Sequence, residues 1–290
     1  MDSTTQQYTG AARQFLHPLV SPAGIRERLA AFGLTPNRAL GQNFLADEIA
    51  LSVLLAALPG DRLPALEIGP GLGALTAGLL SCSDCVVAVE KDAAMVSVLR
   101  TLLPDKRLHV IEADFLKADL TELHANLGGG EIVVAGNLPY YITTPAVLKL
   151  LDSGLPMRAL LFMLQQEAAE RFFAQPGDRI YGPLTVAAVC GYEVSYVLRL
   201  SPAAYYPQPD VHSAVVLLTR KAELPSGFLT FLQGIFAMRR KTLMNNLLGM
   251  GIVREKAQEA LAALSLPEGV RAEALAPDML LRLYQAIKDI

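Results

Sequence analysis

Short apolar runs alternate with amphipathic segments over much of the chain. The apolar runs have the length and composition of buried parallel strands. They are Ala65–Ile68, Val86–Val89, Leu108–Ile111, Ile132–Ala135 and Ala159–Met163. The segments between them include predicted helices at residues 74–80, up to 103, and 145–151. This alternation predicts an α/β fold with a mostly parallel sheet and helices on both of its faces.

Helix-start signals precede the first predicted strand. Ser21 followed by Pro22 is typical of an N-cap and a first-turn proline, and predicts a helix through about Phe32. Asp47 is placed to cap the next helix. Residues 1–20 lack such signals and are predicted to form a flexible tail.

The pattern changes after residue 190. Two strand-like runs, Tyr192–Leu200 and Val211–Arg220, are joined by a proline-rich loop without an intervening helix, which predicts an antiparallel hairpin at one edge of the sheet. From Pro225 onward the pattern is helical, with breaks at Gly249 and Pro267. We therefore predict an α/β domain over residues 21–222 and a small all-helical domain over residues 223–290.

Composition and charge narrow the possible classes. With 290 residues, 52% of them hydrophobic, the chain can bury a large core. It has no apolar stretch near the roughly 20 residues that a bilayer requires, and no signal-peptide pattern, so we expect a cytoplasmic location. Nothing in the sequence indicates an obligate oligomer, so we expect a monomer. Residues 1–200 carry 15 basic and 20 acidic side chains and residues 201–290 carry 10 and 8, so any nucleic-acid contact must come from a local patch.

The cysteines do not predict a metal site. Cys82 and Cys85 have CxxC spacing, but no second pair and no nearby histidine completes a zinc site. They precede a predicted strand, in an expected helix-to-strand turn. We therefore interpret them as loop thiols and expect no bound metal.

A glycine-rich turn, EIGPGLG, follows the first predicted strand at residues 67–73. Glycines at positions such as Gly69 and Gly71 permit positive φ and let the backbone approach a ligand closely. The turn alone does not identify that ligand, since NAD-binding folds use a similar one. The NAD fingerprint is GxGxxG, which differs from the spacing found here.

Acidic residues follow the next two predicted strands. Glu90 lies where this fold places a carboxylate on ribose hydroxyls. Asp114 is placed to accept the amino group of an adenine, with Phe115 against the ring. S-adenosylmethionine carries a ribose, an adenine and a sulfonium but no phosphate. Carboxylates and glycines without a nearby lysine or arginine therefore predict this cofactor over a dinucleotide.

The tetrapeptide Asn137-Leu138-Pro139-Tyr140 ends the fourth predicted strand. Open α/β sheets bind ligands at the carboxyl ends of their strands. The Asn137 amide oxygen and the Leu138 carbonyl can accept hydrogen bonds from a planar amine. Pro139 would hold the turn rigid, and Tyr140 would stack on the base. Amino-methyltransferases use loops of this type, and NLPY resembles the version that acts on adenine N6.

Taken together, these motifs resemble the small-subunit ribosomal RNA adenine N6,N6-dimethyltransferases. GQNFL at residues 41–45, EIGPGLG, the two acids and NLPYYITTP at 137–145 occur in the family's order. The resemblance continues through FMLQQEAAERF at 162–172, YGPLTV at 181–186, YYPQPDVHSAVV at 205–216 and MRRKTLMNNL at 238–247.

The resemblance implies a Rossmann-like class I methyltransferase fold with a C-terminal helical domain. It also implies dimethylation of two adjacent adenines in a 3'-terminal hairpin of 16S rRNA, within an assembling small subunit. The family's cofactor-binding positions correspond to Asn43, Leu45, Gly69, Glu90, Asp114 and Asn137. Its target-base positions correspond to Asn137, Leu138 and Tyr140, with a second aromatic at Tyr205, where the family usually has phenylalanine.

A basic cluster lies within the last of these motifs. Arg239, Arg240 and Lys241 are predicted to lie on a helix. Basic runs are usually solvated helix faces, but beside a base-binding loop such a run is a candidate for phosphate contacts.

Other functions stay open from the sequence. A macrolide-resistance methyltransferase acting on large-subunit rRNA would share the fold and the motifs, although MRRKTLMNNL and the YYPQPDV loop favour the small subunit. A small-molecule or protein methyltransferase is disfavoured by NLPY combined with the basic helical tail. A ribosome-assembly factor without catalytic activity would have no need for the complete set of motif residues.

Overall fold

The computed structural model describes residues 19–289 and is built around a central β-sheet. The strands are β1 (Phe44–Leu45), β2 (Ala65–Ile68), β3 (Val86–Glu90), β4 (Leu108–Glu112), β5 (Ile132–Asn137), β6 (Met157–Gln165), β7 (Tyr192–Leu200), β8 (Tyr205–Tyr206) and β9 (Ser213–Arg220). Seven of them form the central sheet in the order β4-β3-β2-β5-β6-β9-β7, and β1 pairs antiparallel with β8.

The central sheet is mostly parallel, as predicted. Strand β2 pairs in parallel with β3 on one side and with β5 on the other, and β4 and β6 continue the parallel arrangement outward. Strands β9 and β7 form the antiparallel edge. The chain therefore builds the sheet outward from β2 in one direction and then from β5 in the other. The order of strands reverses between β2 and β5, which is where open α/β sheets place their ligands.

Helices connect the strands and form the C-terminal part of the chain. They are α1 (Pro22–Ala31), α2 (Glu48–Ala57), α3 (Ala74–Cys82), α4 (Ala93–Leu102), α5 (Leu120–Asn126), α6 (Tyr140–Asp152), α7 (Gln166–Glu170), α8 (Pro183–Gly191), α9 (Phe228–Phe236), α10 (Leu243–Gly249), α11 (Arg254–Ala263) and α12 (Pro277–Asp289). Short 3-10 turns lie at Arg38–Leu40, Pro202–Ala204 and Ala272–Ala274. Within the described residues, no helix is long and apolar enough to cross a membrane.

The described chain divides into two compact units. The first contains the described residues up to Thr143 together with Leu155–Ala169 and Ser195–Leu218. The second contains Thr144–Gly154, Glu170–Val194 and the chain from Thr219 onward. The second unit is mainly helical and is assembled from three separate stretches of sequence. The division into a catalytic and a helical domain at residue 222 stays a prediction.

Local signals explain where the early helices begin. The Ser21 side chain accepts a hydrogen bond from the Gly24 N–H at 3.1 Å, and Asp47 accepts one from Ala50 at 3.0 Å. Both side chains satisfy N–H groups that lack partners within a helix, so the predicted caps are confirmed. Most of the predicted tail lies outside the described residues; its last two residues, Leu19 and Val20, are buried in the core.

Three expectations about local structure require correction. The helix predicted to begin at Pro145 begins at Tyr140, so this proline lies inside α6. Strand β5 extends to Asn137 because it continues to pair with β6 as far as Met163. Residues 239–241 lie in a turn between α9 and α10, where the expected helix is interrupted.

Candidate active site

The candidate site lies at the carboxyl ends of β2 and β5, where the strand order reverses. Backbone pairing places Gly136, the residue before Asn137, directly beside Ile68, which precedes the glycine turn. A Cβ atom on Gly136 would lie 2.7 Å from the Ile68 carbonyl oxygen, so only glycine fits there. Two motifs that are almost 70 residues apart in sequence are thereby brought together at one cleft.

The glycine turn is held by the acid at the end of β3. The Glu90 carboxylate accepts hydrogen bonds from the Gly71 N–H at 3.1 Å and the Asp92 N–H at 2.9 Å. Gly71 has φ +54° and packs against the Phe44 ring, a combination that a side chain would disturb. Burial raises the pKa of Glu90, while these backbone N–H groups favour its charged form. The carboxylate is thus fixed at the cavity wall.

Asn137 is oriented by a hydrogen bond to the GQNFL segment. Its Nδ2 donates to the backbone carbonyl oxygen of Asn43 at 2.8 Å. A carbonyl oxygen can only accept, so the Asn137 side chain must turn its NH2 group toward Asn43. Its Oδ1 is therefore left to accept a hydrogen bond from a ligand. The neighbouring Leu138 is held by its N–H, which donates to the Met163 carbonyl on β6 at 3.1 Å.

The GQNFL segment is held in place by side-chain hydrogen bonds at Gln42 and by strand pairing at Leu45. The Gln42 side chain donates to Asp92 at 2.8 Å and accepts from the Asn37 N–H at 2.8 Å. Leu45 pairs with Tyr205 across the short β1–β8 ladder, and both are only 3% exposed. The Asn43 carbonyl that orients Asn137 is therefore part of a fixed loop.

Asp114 has a cationic neighbour that the sequence interpretation excluded. Lys91 Nζ lies 3.0 Å from Asp114 Oδ2, and both residues line the cavity. The hydrogen bond from Lys91 holds the pKa of Asp114 below its usual range. The expectation that no lysine or arginine lies near these carboxylates is therefore wrong. Lys91 directly follows Glu90 in the sequence, and this adjacency was the signal that a lysine lies near the predicted carboxylates.

The aromatic residues occupy two different environments. Tyr140 is 60% exposed at the cavity, which leaves its ring available to a ligand. Tyr205 belongs to the β1–β8 ladder and is buried, and burial raises its pKa to about 12. Phe115 lines the same cavity and is 4% exposed. Tyr140 can therefore stack on an entering base, whereas Tyr205 and Phe115 form walls.

One residue of the cavity escaped the sequence interpretation. Glu67 lies in the middle of β2 and is 1% exposed. Its Oε2 has no hydrogen-bond partner among the described residues. Burial raises the pKa of Glu67 to about 8, opposed by the Thr76 side chain and reinforced by the charge of Glu90. A charged residue inside the apolar run ALEI was the sequence signal that could have identified it.

The basic cluster lies in the second unit, and its members differ. Arg239 forms an ion pair with Glu273 at 3.0 Å and donates to the carbonyls of Asp178 and Arg179. Arg240 and Lys241 are exposed, and in the described part of the chain their charged groups form no ion pair. Arg239 thus ties segments of its own unit together, which leaves Arg240 and Lys241 as the better candidates for phosphate contacts.

The first unit can hold S-adenosylmethionine. The cavity has a volume of about 310 Å³ and is lined by all the predicted cofactor positions: Asn43, Leu45, Gly69, Gly71, Glu90, Asp114, Phe115 and Asn137. It offers carboxylates for a ribose and for an adenine amine, and an unpartnered buried oxygen, that of Glu67, for a positive charge. The donor set therefore fits a cationic nucleoside, and the lysine in the cavity wall, Lys91, is already paired with Asp114.

Comparisons with known proteins agree with this geometry. Residues 33–289 match the family model described as ribosomal RNA adenine dimethylase. The chain is 36% identical over 286 residues to ribosomal RNA small subunit methyltransferase A of Ligilactobacillus salivarius, covering 94% of this chain and 97% of the relative. It is 38% identical over 272 residues to the protein of the same name from Geobacillus thermodenitrificans, covering 89% and 92%.

Solved structures agree on the fold. A dimethyladenosine transferase from Plasmodium falciparum superposes with a TM-score of 0.67 at 22% identity, covering 84% of this chain and 97% of that one. The 23S rRNA methyltransferase ErmE superposes with a TM-score of 0.60 at 27% identity, covering 85% and 100%. The predicted Rossmann-like methyltransferase fold is confirmed.

Proposed function

Because the chain belongs to the ribosomal RNA adenine dimethylase family, we propose that it dimethylates the N6 amines of two adjacent adenines in a 3'-terminal hairpin of 16S rRNA. S-adenosylmethionine is the methyl donor, and it supplies an electrophilic methyl group at a sulfonium centre. One observation carries the assignment of the acceptor site: the Asn137 amide is turned so that its oxygen remains for a ligand amine.

In the proposed cofactor site, different residues bind different parts of the cofactor. Glu90 accepts the ribose hydroxyls while it holds the glycine turn. The Asp114 carboxylate accepts a hydrogen bond from the adenine amine and a second one from Lys91. Gly69 and Gly71 allow close approach of the backbone, and apolar side chains, among them Leu45 and Phe115, exclude water.

The proposed target base lies against the NLPY turn. An adenine amine is a weak nucleophile because its lone pair is delocalised into the ring. Hydrogen bonds to Asn137 Oδ1 and the Leu138 carbonyl favour a pyramidal nitrogen that bears its lone pair. Tyr140 stacks on the base, a contact worth about 1–3 kcal/mol. The adenine must leave its own stack to reach this position. Positioning and charge complementarity then supply most of the catalysis.

Several neighbouring residues hold this arrangement. Pro139 has no N–H that could compete for the amine, and its carbonyl accepts hydrogen bonds from Ile142 and Thr143 at 3.1 Å each. The turn is thereby joined to α6. Tyr205 pairs with Leu45 of the GQNFL segment and forms a second aromatic wall of the cavity. We propose that the Asn137–Tyr140 turn and Tyr205 together form the acceptor pocket.

The substrate is tested by mass spectrometry of nucleosides. Unmethylated small ribosomal subunits are incubated with the protein and S-adenosylmethionine, and large subunits are treated in parallel. We expect N6,N6-dimethyladenosine in the small subunit alone. The same product in the large subunit alone would assign the protein to the activity named for ErmE. Measurable cofactor binding without transfer to either subunit would overturn the proposal.

We propose that the helical residues 223–290 contact rRNA through Arg240 and Lys241. The double variant R240E/K241E should bind small-subunit rRNA more weakly, with a slope of log affinity against log salt that is shallower by about one per lost phosphate contact. Filter binding at several salt concentrations measures both quantities. The matched control is K106E/R158E, which makes the same change of charge. Lys106 lies just before β4 and Arg158 lies near the start of β6, so both are at the amino ends of the strands, away from the site. Equal binding by the two double variants would contradict the assignment.

The partner and the setting of the reaction extend the same proposal. The enzyme acts as a monomer on rRNA within an assembling small subunit in the cytoplasm. A shaped, partly folded RNA suits a chain with net charge −3, because only a local basic patch is available to attract it.

A further inference from the structure

Glu67 is a buried acid with no assigned role in methyl transfer. It lies on β2 between Ala88 of β3 and Ala135 of β5, the two residues paired with it across the sheet. Both neighbours are apolar, so the carboxyl group receives no charge from either strand at its own level. Its Oε2 is unpartnered among the described residues, and the side chain lines the cavity.

The groups around Glu67 do not include a free cation in the described residues. Thr76 of α3 lies beside it and does not titrate, and Glu90 at the end of β3 adds a negative charge. Elsewhere in the cavity wall, Lys91 is engaged by Asp114 at 3.0 Å, and burial raises the pKa of Tyr205 to about 12. In the described structure, therefore, no cation neutralises the Glu67 carboxyl. With its pKa raised to about 8, it holds its proton at pH 7.

We propose that Glu67 distinguishes the charged cofactor from its neutral product: it releases its proton when S-adenosylmethionine occupies the cavity and keeps it when S-adenosylhomocysteine does. This inference rests on the proposed function. The bond broken is the O–H bond of the Glu67 carboxyl. Its electron pair stays on the carboxylate, and the proton passes to the solvent. No oxidant or further reactant is required.

The physical basis is the charge of the sulfonium. A positive charge bound in the cavity whose wall includes Glu67 favours the ionised carboxyl and lowers its pKa. The thioether of the product carries no charge at sulfur and leaves the carboxyl protonated. Methyl transfer removes the sulfonium charge, so an ionised Glu67 then disfavours retention of the product. Glu67 is a specificity-determining residue in this account and takes no part in bond formation.

The sign of the pH dependence follows from linkage. Binding that releases a proton strengthens as pH rises, by up to about tenfold per pH unit, until the pKa of the free enzyme is reached. Affinity for S-adenosylmethionine should therefore rise from pH 6 and level off near pH 8, the value for free Glu67. Affinity for S-adenosylhomocysteine should change less over the same interval. Both ligands carry the same α-amino group, so its titration cancels in the ratio of the two affinities.

The test is isothermal titration calorimetry at pH 7 in buffers of different ionisation enthalpy, which counts the protons released. For the wild-type protein we expect more than half a proton released with S-adenosylmethionine and close to none with S-adenosylhomocysteine. Glu67→Gln keeps the shape of the side chain but has no proton to release. It should lose both the release and the pH dependence, and should reduce the preference for the charged ligand at least fivefold. Glu112→Gln, at the exposed end of β4, is the matched control and should behave as wild type.

The outcomes separate the two proposals. Failure of the wild-type protein to bind S-adenosylmethionine would overturn the proposed function and the inference together. Binding with equal proton release for the two ligands would overturn the inference and leave the proposed function intact. If Glu67→Gln does not fold, the difference between the two ligands in the wild-type protein still decides the question.

Discussion

Replacing Asn137 with alanine is expected to reduce methyl transfer at least about 100-fold, the usual effect of removing one preorganised polar contact from an active site. The variant loses the oxygen that accepts the substrate amine and also the hydrogen bond to the Asn43 carbonyl. Loss of that neutral hydrogen bond costs about 0.5–1.5 kcal/mol of folding free energy, so the protein should remain folded. Single-turnover transfer to small subunits, with thermal melting in parallel, measures both effects.

A matched control is available in the same unit. Asn126 is exposed at the end of α5, and Asn126→Ala should transfer methyl groups at the wild-type rate. S-adenosylmethionine binding separates the causes of any loss in Asn137→Ala. A defect confined to transfer supports the assigned role at the acceptor amine. Wild-type turnover by Asn137→Ala would show that another group holds the amine.

Replacing Glu90 with alanine is expected to weaken S-adenosylmethionine binding by about 100-fold, because hydrogen bonds to a charged group contribute about 1.5–3 kcal/mol each. The variant removes the proposed acceptor of the ribose hydroxyls. It also releases the Gly71 N–H, which donates to this carboxylate at 3.1 Å and fixes the glycine turn. Isothermal titration calorimetry of the folded variant gives the change in affinity directly.

The control for Glu90 is the acid at the corresponding end of the neighbouring strand. Glu112 ends β4 and pairs with Glu90 across the sheet, but it is exposed. Glu112→Ala should bind the cofactor with unchanged affinity. An affinity of Glu90→Ala within twofold of wild type would show that Glu90 serves the turn alone and does not contact the ribose.

Much of the fold followed from the sequence, because each parallel strand is a separate apolar run. The strands predicted at residues 65–68, 86–89, 108–111, 132–135 and 159–163 are all present, with small extensions at their ends. Helix boundaries were less accurate. Pro145 was predicted to start a helix, because proline favours the first turn, but α6 begins at Tyr140 and contains Pro145 in its interior.

The basic cluster shows a second kind of limit. Three consecutive cations were predicted to share one exposed face, but Arg239 is bound by Glu273 and by two backbone carbonyls. Glu273 is 34 residues away in sequence, so no local pattern indicates this ion pair. Residues that are adjacent in a motif can therefore have different tasks.

Residue type and short-range spacing indicated the α/β class, and the resemblance to the family supplied the cofactor and most residues that line the cleft, but Glu67 and the contact of Lys91 were missed. The tertiary structure alone decided which of those residues touch. Strand pairing brought the NLPY turn beside the glycine turn, oriented the Asn137 amide on the Asn43 carbonyl, and placed Lys91 on Asp114. It also buried Glu67 without a partner. Such contacts join residues that are distant in sequence, and their energies depend on burial and distance, neither of which a linear pattern contains.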